Sequence, residues 1–216
     1  MRFHDRGQAG RELAERLRVE QENGVLPDPV VLALPRGGVA VAREVARGLN
    51  APLDVLVVRK IGAPSQEEYG VGAIAGEDEP LFDGRALHLL GLTKADLAPV
   101  VERERAELRR RERRYRQGRA APELTGRTVL VVDDGLATGS TARAALRRVR
   151  RQAPGRLVLA VPVGSAEATE LMRAEADDVL CLRTPSPFVA VGLYYEHFDQ
   201  LTDEDVLRAL RARAGQ

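Results

Sequence analysis

Short runs of apolar β-formers alternate along this chain with longer stretches in which apolar residues recur at helical spacing. Leu13 and Leu17 stand among charges over residues 8–21, so an amphipathic helix is expected to open the chain. Pro27 and Pro29 close that region, and Val30-Val31-Leu32-Ala33-Leu34 reads as a short buried strand. Pro35-Arg36-Gly37-Gly38 breaks it, and helical character resumes from Val39 to Leu49. A second strand is expected over Leu53 to Val58, a loop over Arg59-Lys60-Ile61-Gly62-Ala63-Pro64, and a third strand from Glu68 to Ala75. Residues 93–118 predict one long charged helix. Val129–Val132, Leu157–Val163 and Asp178–Leu182 predict further strands, separated by helices over 139–152 and 165–175. Thr202-Asp203-Glu204-Asp205 reads as a capping box before a last helix.

Strands that alternate with helical segments pair in parallel through crossover helices. The expected fold is therefore α/β, an open, mostly parallel sheet with helices on both faces. A single domain is expected, with its core at about residues 28–182 and a small hood or cap built from residues 1–27 and 183–216.

Composition narrows the function classes. Lys+Arg 33 against Asp+Glu 32 gives no global pull toward nucleic acid. Aromatic content is 4% and Trp is absent, so Val, Leu and Ala must fill the core. Cys181 is the single cysteine and reads as a small buried hydrophobe in Val179-Leu180-Cys181-Leu182. His4, His88 and His197 are scattered, which leaves no zinc-type spacing. No apolar run approaches the ~20 residues of a membrane span, and the expectation is a cytoplasmic protein with no membrane partner.

The densest chemistry lies in Val129-Leu130-Val131-Val132-Asp133-Asp134-Gly135-Leu136-Ala137-Thr138-Gly139-Ser140-Thr141. A buried strand ends in two carboxylates, and a turn of small residues leads directly into a helix. Amides at such a helix start are free to hold a phosphate. Ionised Asp accepts hydrogen bonds only, which suits a sugar diol. The pattern predicts a ligand carrying a phosphate beside vicinal hydroxyls, as in a ribose 5-phosphate.

These residues resemble the signature of the type I phosphoribosyltransferases: four apolar residues, two acids, then a short loop ending Thr-Gly-small-Thr. Leu34-Pro35-Arg36-Gly37-Gly38 resembles the loop with which that family grips pyrophosphate, and the resemblance implies a cis peptide at Pro35–Arg36. Arg59-Lys60 at the end of the next strand also looks like the family, whose mobile lid would follow through about Gln66-Glu67-Glu68-Tyr69. The implied ligand is 5-phosphoribosyl 1-pyrophosphate. Its 5-phosphate would lie on Gly135, Ala137, Thr138, Gly139, Ser140 and Thr141, and its ribose hydroxyls on Asp133 and Asp134. Pro35, Arg36, Gly37, Gly38, Arg59 and Lys60 would meet the pyrophosphate, with Arg36, Lys60, Asp133 and Asp134 as the catalytic set. The resemblance also implies Mg²⁺, held mainly by substrate oxygens and water near Asp133 and Asp134, with no direct protein ligand. The implied reaction is Mg-dependent glycosyl transfer in nucleotide metabolism: a nitrogen acceptor replaces pyrophosphate at the anomeric carbon, with no covalent intermediate.

Where the hypoxanthine-guanine branch carries an acid, this chain has Ala137, so it looks closer to the adenine-type branch and to bacterial members of unassigned substrate. Phe188, in Pro187-Phe188-Val189-Ala190-Val191-Gly192-Leu193-Tyr194-Tyr195, lies in the expected hood, where it would stack on a base or pack the cap. Residues 102–119 hold nine arginines against four glutamates. That helix either packs along the sheet or against a second copy in a homodimer, or it presents a stripe to nucleic acid. The last option belongs to the alternative reading, a non-catalytic regulator that senses phosphoribosyl pyrophosphate or a nucleotide.

Overall fold

Parity within each apolar run decides which side of the sheet a residue serves. The structure, a computed structural model, describes residues 2–64 and 66–214. In β1 (Pro29–Ala33), Val31 and Ala33 join one buried cluster, and Val30 and Leu32 another. Two further strands split the same way. With β2 (Leu53–Val55) next to β1, the residues of β6 (Thr128–Val132) divide into Leu130 and Val132 against Val129 and Val131. In β7 (Arg156–Val163), Val158 and Ala160 oppose Leu157, Leu159 and Val161. Strands buried on both faces need no polar alternation, which is why these segments read as continuous apolar runs. With β8 (Asp178–Arg183) they form a five-stranded sheet in the order β2-β1-β6-β7-β8, parallel throughout.

Helices cover both faces, as expected. α1 (Arg6–Glu22), α2 (Gly38–Gly48), α4 (Ala98–Arg116) and α7 (Asp203–Ala214) supply Leu17, Val45, Leu108 and Leu210 to the first cluster. α5 (Ser140–Arg150) and α6 (Ala166–Met172) supply Leu146 and Met172 to the second. α1 and α2 approach through small residues. A Cβ on Gly10 would lie 2.7 Å from the Val41 carbonyl oxygen, and one on Gly48 would lie 2.8 Å from the Ala14 Cβ.

Three expectations need correction. The strand expected over 53–58 splits after Val55. Val58 instead begins β3 (Val58–Ala63), which pairs antiparallel with β4 (Gln66–Ala75), and β4 pairs with β5 (Leu81–Phe82) in a separate three-stranded sheet. The loop expected over 59–64 is therefore largely strand. Its glycine fits a ladder because a Cβ on Gly62 would overlap the Glu67 carbonyl, and the register shifts at Gly62 mark a bulge.

The long helix expected from residue 93 starts at Ala98, after a turn in which Thr93 N donates to Asp96 Oδ2 at 2.8 Å. A separate α3 (Gly84–Leu90) precedes it, capped by Asp83. At 7 residues, α3 is too short for its apolar periodicity to show in sequence.

α1 and α7, from the two ends of the chain, pack into the first core cluster. What the chain ends build above the sheet is a short pairing, with Phe3 N donating to Tyr194 O and Glu196 N to Phe3 O, both at 2.8 Å. Residue 1 and residues 215–216 of the expected hood, and residue 65 of the expected lid, lie outside the described residues.

Candidate active site

The strand order reverses between β1 and β6: the chain steps from β1 outward to β2, and later returns to place β6 on β1's other side. Ligands of open α/β sheets bind in the crevice at the carboxyl ends of such a strand pair. The loops leaving those ends are 34–38 and 133–139, and Leu34 N donates to Val132 O at 2.9 Å, so they rise side by side.

Glycine lets these loops touch. A Cβ on Gly38 would lie 2.7 Å from Val132 O and 2.9 Å from Asp133 Cα, and one on Gly37 would overlap the Asp134 carboxylate. The Pro35–Arg36 peptide is cis, at the bond the family resemblance implied. Arg36 is exposed on this loop. Gly38 N is used internally, donating to Leu34 O at 3.1 Å, whereas the amides of Arg36 and Gly37 donate to no described residue.

Asp133 and Asp134 are half-buried directly after β6. Asp134 N donates to Asp133 Oδ1 at 2.8 Å. Burial and the charge of Asp134 push Asp133 well above the usual carboxylate range. Burial raises Asp134 too, while the Arg6 guanidinium works against the rise. Arg6 Nε donates to Asp134 Oδ2 at 2.8 Å and Arg6 Nη1 to Asp199 O at 2.8 Å, with the guanidinium 3.8 Å from the Phe198 ring centroid. Tyr195 OH donates to Asp134 O at 2.6 Å.

The turn from Gly135 to Gly139 is fixed to the neighbouring strand. Leu136 N bonds Val163 O, Ser165 N bonds Leu136 O and Ser165 Oγ bonds Ala137 O, each at 2.9 Å, so the loop is tied to the end of β7. Gly139 takes φ 79°, a left-handed conformation, and no side chain caps α5. Among the described residues, the amides of Ala137, Thr138, Gly139, Ser140 and Thr141 donate to nothing. Beside the turn a cavity of about 320 Å³ opens between Thr138, Gly139 and Ser140, the end of α6 and the β4–β5 edge.

Other expected residues are placed differently. Arg59 is bound to Glu104 of α4, with Nε and Nη2 at 2.8 and 2.7 Å from Oε2, so its charge is already matched inside the fold. Lys60 lies on the opposite face of β3 and is exposed, with its stem against Gly70. Phe188 stacks on Tyr194 with centroids 5.3 Å apart, and so packs the cap. Val191 fills the space beside Gly135 that a Cβ would need. Cys181 is half-buried and its thiol is pushed up by burial.

The arginines of α4 are largely spent within the molecule. Arg109 meets Glu77 at 2.6 Å, Arg110 and Arg111 meet Glu107 at 2.6 and 2.7 Å, and Arg114 meets Glu204 at 2.7 Å. Arg105 donates to the Gly76 and Asp78 carbonyls. No described helix is long and apolar enough to cross a membrane.

Sequence reasoning missed Arg6, Tyr195, Phe198 and Asp199. A signal for Arg6 existed. Asp5 caps α1, with Gln8 N donating to Asp5 Oδ1 at 2.7 Å, and the Gln8 side chain accepts from His4 N at 2.6 Å. That Asp-x-x-Gln pattern sets the helix start at Arg6 rather than near residue 8.

Comparison with known proteins agrees with this geometry. Residues 3–196 match the family described as phosphoribosyl transferase domain. Two Mycobacterium tuberculosis proteins, each named "Putative phosphoribosyl transferase", are 45% identical over 208 residues, which is 96% of this chain. The chain spans 46% of the length of those relatives. The crystal structure of TT1426 from Thermus thermophilus is 46% identical, with 100% of both chains covered and a TM-score of 0.81. A hypothetical protein from Neisseria gonorrhoeae, solved with bound ppGpp, shares the fold at 17% identity over 98% of each chain, with a TM-score of 0.53.

Proposed function

This chain belongs to the phosphoribosyl transferase domain family, and we propose that it transfers the ribose 5-phosphate group of 5-phosphoribosyl 1-pyrophosphate to a nitrogen acceptor, releasing pyrophosphate. One observation carries the reading furthest. A turn with unpartnered amides at 137–141 adjoins two half-buried carboxyls, and both face a glycine loop with an exposed arginine, at the point where strand order reverses.

In this reading the turn amides and the start of α5 hold the 5-phosphate. The acid pair orients the ribose hydroxyls. Arg36, the amides of Arg36 and Gly37, and Lys60 receive the pyrophosphate, while Gly38 acts as a spacer. As the bond from the anomeric carbon to pyrophosphate breaks, its electron pair leaves on oxygen, and these fixed donors stabilise the growing charge. The acceptor nitrogen attacks the same carbon and then loses its proton. Holding both reactants in line does the work of a covalent intermediate.

Among the described residues no group of three or more His, Cys, Asp or Glu is placed to hold a metal, and one of the two site carboxyls is taken by Arg6. This donor set fits a Mg²⁺ carried by substrate oxygens and water beside the acid pair. Bound there, the ion would neutralise pyrophosphate charge.

Pyrophosphate release measured over a panel of purines and pyrimidines with Mg²⁺ tests the proposal, alongside calorimetric titration of phosphoribosyl pyrophosphate. Turnover with one class of base is expected. Absence of both turnover and binding would remove the reading.

A further inference from the structure

Arg6 stands where local physics disfavours it. It is the first residue of α1, at the positive end of the helix dipole, in a first turn with no acidic residue. It is also nearly buried, its side chain 10% exposed. Burying a cation at a helix start is costly unless its partners return the energy. Its partners are the Asp134 carboxylate, the Asp199 carbonyl and the face of Phe198. Two of these three lie in the C-terminal segment, and the third lies in the crevice.

Asp134 is held from every side. Oδ2 takes the Arg6 Nε–H, the main-chain oxygen takes the Tyr195 hydroxyl, and the Gly37 backbone lies against the carboxylate. Among the described residues Asp133 has no ion pair of its own; its Oδ1 accepts Asp134 N. The acids are therefore unequal, although adjacent in sequence.

We infer that Arg6 is a positioning residue for the acid pair: it cancels the charge of Asp134 and locks its carboxyl in place, leaving Asp133 to meet the ligand's hydroxyls. The inference deepens the proposed function and rests on it. Its physical value is clear for an anionic sugar phosphate. An unmatched Asp134 carboxylate would repel such a ligand, whereas the Arg6 guanidinium cancels that charge at the ribose end. The contact also ties the pocket to the chain ends, so the pairing of Phe3 with Tyr195 helps hold the crevice in shape.

The test compares ribose 5-phosphate with inorganic pyrophosphate by calorimetry, in Arg6→Gln, Arg6→Lys, Asp134→Asn and the Arg6→Gln/Asp134→Asn double variant. Pyrophosphate lacks the diol, so it reports on the basic loop alone. Arg6→Gln is expected to weaken ribose 5-phosphate about tenfold or more, about 1.4 kcal/mol, and to leave pyrophosphate within about twofold (below ~0.5 kcal/mol). Arg6→Lys should recover part of the loss. In the Asp134→Asn background the Arg6→Gln change should add little, because Arg6 acts through that carboxyl. Equal losses for both ligands, no rescue by lysine, or full additivity would mean a general folding role and overturn the inference. Wild-type affinity in every variant would overturn it as well. If wild-type protein binds no ribose 5-phosphate, the proposed function itself fails, and the inference falls with it.

Discussion

Gly37 and Asp134 share one space: the position that a Cβ on Gly37 would take is filled by the Asp134 carboxylate. The contact couples the loop over residues 34–38 to the acid pair through van der Waals surface. Gly37→Ala should therefore expel the carboxylate and break its bond to Arg6. A displacement near 1 Å at a reacting centre costs about 100-fold, and a loss of that order in turnover is expected. Steady-state kinetics checks it, with circular dichroism showing that the fold persists.

Gly139→Ala probes the turn proposed to hold the 5-phosphate. Its φ of 79° strains any residue with a side chain, and the new Cβ would lie 3.0 Å from Met172 Cε. A left-handed residue costs roughly 1–2 kcal/mol. Stability should drop by about that much, and affinity for ribose 5-phosphate should fall, while affinity for pyrophosphate stays near wild type. Denaturant melts and calorimetry read the two effects.

Gly10→Ala addresses the scaffold. The added methyl meets the Val41 carbonyl at 2.7 Å and the Glu44 Cβ at 2.9 Å, and main chain cannot swing aside. Overpacking of this kind costs typically about 1–3 kcal/mol. The urea midpoint should fall without a change in slope, because the unfolded surface is the same.

Asp133→Asn should stabilise the protein above neutral pH. The carboxyl is raised in the folded state, so the folded chain keeps a proton that the unfolded chain releases. That contribution is present below the unfolded pKa and is lost as pH rises through the folded one. Thermal melts of the variant should therefore exceed wild type at pH 8 and converge with it near pH 4. Glu107, lowered to about 2 chiefly by its hydrogen bond from Arg110, has the opposite sign. Its contribution is present above its unfolded pKa and lost as pH falls toward 2, so Glu107→Gln should flatten only the acid limb.

Charge reversal at Arg109, Arg110 and Arg113 tests the regulator reading. Arg109 and Arg110 already face Glu77 and Glu107, so the expected result is a modest drop in melting temperature with no change in nucleic-acid retention. A steep salt-dependent affinity in wild type, lost in the variant, would revive that reading.

The parallel strands, the helices on both faces and the small-residue turn between β6 and α5 were legible because each follows from near neighbours. Val129 to Val132 is apolar throughout, Asp133 and Asp134 end it, and a small-residue turn has few ways to enter a helix. The β3–β4 hairpin was harder to read. Arg59 and Lys60 look like a solvated loop until the partner strand shows them on opposite faces of a ladder. In the same way α4 reads as a basic surface, because its acidic partners Glu77 and Glu204 lie 32 and 90 positions away.

Local chemistry thus sufficed to say that a small-residue turn and an acid pair stand at the carboxyl edge of the sheet, since backbone geometry and apolar periodicity act over a few residues. Which of two adjacent acids carries a counter-ion could not be read the same way. Arg6 lies 128 positions from Asp134 and meets it only because α1 packs against α2 and β7 and the two chain ends pair. Charge pairing is set by distance in space, and folding alone brings those two side chains within 2.8 Å.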